Sequence, residues 1–96
     1  MGINMFKNLS DAKRKLKIGS KLKLIWALYP NKLLQVEREI VKVQTNAIAF
    51  NPILDQKGPS YLTWPRANDF IPTENGFKIY ESGGPILEYE VISCGL

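Results

Sequence analysis

The chain is predicted to be mainly β: a small, strongly bent antiparallel barrel of SH3-like or OB-like type carrying a short N-terminal helix. Three observations lead there. Six or seven short segments alternate apolar and polar residues, turn-forming clusters separate them closely, and no spacing suits a strand, helix, strand crossover. A flatter α+β sheet covered on one face by the helix is the alternative. With 96 residues, 45% hydrophobic and 23% charged, the composition is that of one globular domain spanning 1–96.

Residues 1–7 read as a flexible leader. Asn8 or Ser10 can cap a helix, and Asp11 suits the positive end of its dipole. Leu9, Ala12 and Leu16 recur at helical spacing until Gly19 stops the run. Two turns cannot stand alone in water, so this stripe must dock on a sheet. Residues 21–29 alternate, with Leu22, Leu24, Trp26 and Leu28 on the inner face. Pro30 and Asn31 then turn the chain. Residues 34–44 read as a long second strand whose apolar phase moves from Val36 and Ile40 to Val41 and Val43, the mark of a bulge or sharp bend. A third strand covers 47–50. Pro52, Asp55, Gly58 and Pro59 make 51–60 a loop. A fourth strand covers 61–64, and Pro65 opens one helical turn at 66–69. Segments 70–73 and 77–81 flank Glu74, Asn75 and Gly76, where Asn-Gly is the strongest hairpin signal in the chain. After a break at 82–85, residues 86–92 form the last strand, with Leu87, Tyr89 and Val91 inward.

Charge is distributed unevenly. The net charge is +4, but residues 1–32 hold eight basic groups and one acid, a local sum of +7, and the remainder sums to -3. Such a lobe attracts phosphate backbones or acidic partners, although a solvated helix face would look the same. Neither a membrane-spanning run nor a signal-peptide core is present, and the single cysteine suits a reducing compartment, so a cytoplasmic location is expected.

Histidine is absent and Cys94 is the one cysteine, which excludes triads built on histidine and the usual zinc sites within one chain. Cys94 has no neighbouring base to generate a thiolate. Glu37 with Glu39, and Glu88 with Glu90, lie on outward strand faces, where a carboxyl lacks the burial that general-acid work needs. Gly83-Gly84 precedes a proline rather than a helix, so it cannot cradle phosphate, and Asp69, Glu74 and Asn75 do not match a calcium loop. The expectation is a non-enzymatic module without metal or cofactor.

Two contact surfaces remain. Lys13, Arg14, Lys15, Lys17, Lys21 and Lys23, joined by Tyr29, suit nucleic acid, where lysines track phosphates and an aromatic ring stacks on bases. Tyr61, Trp64 and Arg66 have the composition of a protein-binding hot spot, although Trp64 also suits the core. A barrel this small leaves strand edges that can pair with a second copy, the long second strand foremost.

Taken together, MFKNLSDAKRKLKIGSKLKLI, KVQTNAIAF, LTWPRANDF and ENGFKIYE resemble segments of small proteins encoded by phages and prophages of Gram-positive bacteria. The likeness runs from Met5 to Ile92. It implies a mobile-element product acting in the cytoplasm of a bacterial host, and it carries no catalytic residue with it.

Overall fold

Asn8 starts the helix. In the computed structural model, which describes residues 4–29, 32–52 and 57–94, its side-chain oxygen accepts the Asp11 N-H at 2.9 Å. Asp11 answers by accepting the Lys7 N-H at 2.9 Å, a reciprocal clasp close to a capping box. The helix, α1, runs Leu9–Lys15 and buries Leu9 and Ala12. It ends before Gly19 because Leu16 leaves helical geometry to enter the core. Gly19, at φ 96°, instead shapes the following turn, and its N-H donates to the Ile40 carbonyl.

Asp11 is also the point where two cations converge. Arg14 Nη2 lies 2.6 Å from Oδ1 and Lys15 Nζ lies 3.1 Å from Oδ2. The Lys7 N-H first, then the Lys15 and Arg14 partners, outweigh the opposing effect of burial and pull the Asp11 carboxyl from 3.8 to about 2. A depressed folded-state pKa means the ionised form favours the fold. That contribution is complete above about pH 4 and is lost as the pH falls through about 2. Asp11→Asn should therefore lower the thermal midpoint at pH 7, and the gap from the parent protein should close by pH 2. A constant gap across that window, followed by circular dichroism, would contradict this role.

Among the described residues seven strands follow: β1 Lys21–Ala27, β2 Glu37–Val43, β3 Ala47–Phe50, β4 Ser60–Thr63, β5 Phe70–Pro72, β6 Gly76–Glu81 and β7 Gly84–Ser93. A single 3-10 turn, Ala67–Asp69, precedes β5. All described pairings are antiparallel except an isolated parallel bridge between Leu24 and Leu34, and the order is β4-β3-β2-β1-β7-β6-β5. The protein is thus mainly β, one sheet with one short helix. Its two halves join where β1 meets β2 through the pairs Lys21↔Glu39, Leu22↔Arg38 and Lys23↔Glu37. Beyond this junction the halves fold toward each other, since Phe50 of β3 stacks on Tyr89 of β7 with ring centroids 6.1 Å apart. Between them lie Leu22, Ile40, Ile48, Phe70, Phe77 and Val91, with the α1 stripe packed against the same cluster.

Several expectations change. Residues 5–7 are not a free leader: Phe6 is 0% exposed and its ring packs on Phe77 at 6.4 Å, while the Met5 N-H donates to the Thr73 carbonyl. The second strand is shorter than 34–44 and interior in the sheet order, with Glu37–Glu39 paired to β1 and Ile40–Val43 to β3; the terminal strands of the sheet are β4 and β5. Its phase change is real. Ile40 pairs with Phe50 and Lys42 with the adjacent Ala49, leaving Val41 as the extra residue of a bulge. The break at 82–85 is a tight hairpin between β6 and β7, with Ser82 at φ 53° and Gly83 at φ 83°. The turn expected at Pro30 and Asn31 lies outside the described residues, as do positions 53–56 of the loop at 51–60.

Candidate functional surfaces

The inner phase of β1 carries Leu22 and Leu24 into the core but not Trp26. Leu24 pairs with Tyr89 and Trp26 with the next residue, Glu88, so β1 runs one residue longer than β7 there. That bulge moves Trp26 onto the face of Glu88, and the ring expected in the core is 40% exposed. Glu88 in turn pairs with Lys78 of β6. Trp26, Glu88, Lys78 and Pro85 enclose a surface hollow of about 260 Å³. Leu28 and Tyr29, next along the chain beyond the strand, are also exposed, Tyr29 at 73%. Sequence alternation missed Trp26 because a bulge imposed by the partner strand leaves no trace in the strand's own pattern.

The basic residues meet different carboxylates. Arg14 and Lys15 share Asp11. Lys13 donates to Asn46 Oδ1 at 3.5 Å, and Lys17 is exposed after the helix. Lys21 pairs across β1 and β2 with Glu39, and Lys23 pairs with Glu37 on one side and Glu90 on the other, its Nζ 3.9 Å from Glu90 Oε1. Cross-strand partners share a sheet face, so these lysines stand among carboxylates.

Tyr61, Trp64 and Arg66 are likewise divided. Trp64 is 7% exposed and packs edge-on to Phe70 at 6.0 Å and against Phe77 at 5.5 Å, so it belongs to the core and not to a contact surface. Tyr61 on β4 and Arg66 before the 3-10 turn remain exposed.

Arg38 was not singled out by sequence, although it sits in phase with Val36 and Ile40. It is buried, with its guanidinium 5.1 Å above the Phe50 ring and Nη2 donating to the Asn51 carbonyl at 2.9 Å. Burial lowers its pKa from the ordinary arginine value, and burial likewise pushes Tyr89 up to about 12. A cation stacked on a ring this way holds β2 against β3. Among the described residues no cluster of histidine, cysteine, aspartate or glutamate is placed to hold a metal ion, and no helix is long and apolar enough to cross a membrane. Cys94 is an exposed free thiol just past β7. Compared with known protein families, curated proteins and solved structures, the chain matches none.

Proposed function

We propose that the protein is a non-enzymatic binding module that docks a host or phage protein on the outer face around Trp26, Leu28 and Tyr29. The observation that carries this reading is the exposed tryptophan set beside Pro85, Glu88 and Lys78 at the rim of a hollow. Exposed aromatic side chains with mixed charges at their margin are what protein hot spots use. Phosphate recognition is less well supported there, because Glu37, Glu39, Glu88 and Glu90 outnumber Lys21, Lys23 and Lys78 on that face. The finer description of the fold, a strongly bent SH3-like or OB-like barrel with α1 plugging one end, belongs to the same proposal and is supported by the approach of Phe50 to Tyr89.

Replacing Trp26 by alanine should leave the folded spectrum intact, since the ring is partly in solvent, and should weaken partner capture from bacterial lysate about 30-fold or more. Capture should survive washing at about 0.5 M salt, where exposed charge pairs are screened. Capture unchanged by Trp26→Ala would overturn the assignment.

A second reading, nucleic-acid binding, is favoured by the four cations Lys13, Arg14, Lys15 and Lys17 set against Asp11 in and just after α1. In the same lysate experiment it would appear as retained nucleic acid that is released steeply by salt.

A further inference from the structure

The two sheet edges differ. β5 is three residues long, ends in Pro72 and lies beside the Met5 segment, whose N-H takes the Thr73 carbonyl. Those features blunt an edge. β4 pairs with β3 alone and carries no such cover among the described residues. The Trp64 N-H donates to the Asn46 carbonyl across this pair, so by antiparallel alternation the peptide groups of Leu62 also face β3. Those of Tyr61 and Thr63 therefore point off the free edge.

Beside that edge runs a groove of about 250 Å³, floored by Leu62, Ile79, Ile86 and Leu87 and rimmed by Asp69 and Glu81. It is smaller than the roughly 300–1,000 Å³ of small-molecule sites and suits one or two side chains. Its charged lining groups are both acidic, on a protein whose net charge is +4.

We propose that β4 and this groove bind an extended segment of a partner protein that presents an apolar residue flanked, two positions away on either side, by basic residues. Tyr61 and Thr63 supply main-chain hydrogen bonds to the added strand, the apolar side chain enters the groove, and the flanking cations meet Asp69 and Glu81. Strand spacing places alternate residues on one face, which is why the pattern has period two. A second copy does not fit, because Ser60–Thr63 contains no base to set against the two carboxylates. The site does not rest on the Trp26 reading, since Ile79 and Leu87 face inward from the β6 and β7 hairpin while Lys78 and Glu88 face outward.

The probe is a capped, fluorescein-labelled peptide, Thr-Lys-Thr-Val-Thr-Lys-Thr, with a control carrying Glu for each Lys. The lysine peptide should bind the intact protein at least about tenfold more tightly, and Asp69→Asn with Glu81→Gln should remove that preference while the fold is kept. Hydrogen exchange at the Tyr61 and Thr63 amides should slow on binding, a readout that simple charge attraction would not produce. Equal binding of the two peptides, absence of binding, or binding without protection of those amides would each overturn the proposal. So would a concentration-dependent dimer that protects the same amides without peptide.

Discussion

Phe77→Ala is expected to lower the thermal midpoint by roughly 15–30 °C. Phe77 is 0% exposed, and its ring packs against Phe6, Trp64, Phe70 and Tyr89. These come from the N-terminal segment, the residue just past β4, β5 and β7, so one side chain ties four parts of the chain together. Truncating a buried phenylalanine costs about 3–5 kcal/mol. A domain of 96 residues has about 5–15 kcal/mol in total, and each kcal/mol shifts the midpoint by about 4–8 °C at this size. The loss should also be transmitted. With its ring partner gone, Phe6 has less to hold it, so amide protection should fall first in the segment before α1. Thermal and urea unfolding, with hydrogen exchange across the N-terminus, check both statements. A destabilisation below about 1 kcal/mol would mean that the cluster repacks and that Phe77 is not its centre.

What could be read from the sequence was chemistry acting over a few residues. Asn8 and Asp11 marked the helix start because capping is decided within one turn, and alternation located β3 and the inward residues of β7. The bulge at Val41 was visible because the apolar phase itself changed. Trp26 was not, because its displacement comes from the pairing of β1 with β7, and the same leucine and tryptophan spacing would have read as core with or without it. Phe6 was missed for a related reason: one aromatic residue ahead of the first periodic segment has no period to betray it, and its burial depends on β6 being folded beneath it.

The charge reading shows the same limit. Lys21 and Lys23 continue the basic run along the chain, yet strand register sets Glu37, Glu39 and Glu90 opposite them. A count along the sequence described a basic lobe that folding partly neutralises. The two surfaces proposed for binding depend on such relations. Trp26 needs the bulge, and the β4 groove needs Leu62 from one half of the sheet opposite Ile79 and Leu87 from the other.

Gly76→Ala is expected to be as damaging as the loss of Phe77, and for a reason the Asn-Gly signal does not convey. A hairpin of that type uses glycine for a left-handed backbone. Here positive φ among the described glycines is found at Gly19 and Gly83, not at Gly76. What Gly76 provides is room: a Cβ there would collide with the Tyr89 carbonyl oxygen and sit 3.0 Å from its carbon and 3.1 Å from the Glu90 Cα. All three atoms are backbone of β7, which is held between β1 and β6 and cannot swing aside as a side chain could. The added methyl group must therefore push the β5 and β6 hairpin away from β7 and open the core at Phe77. Overpacking typically costs 1–3 kcal/mol, and a clash with the backbone of an interior strand belongs at or above the top of that range. Gly84→Ala is the matched control, since nothing lies within 4 Å of a Cβ at Gly84, and its urea midpoint should stay close to that of the parent. Gly76→Asn separates the two explanations. Asparagine tolerates a left-handed turn, so it would rescue a glycine kept for its backbone angle, whereas close approach of two strands requires asparagine to fail as badly as alanine.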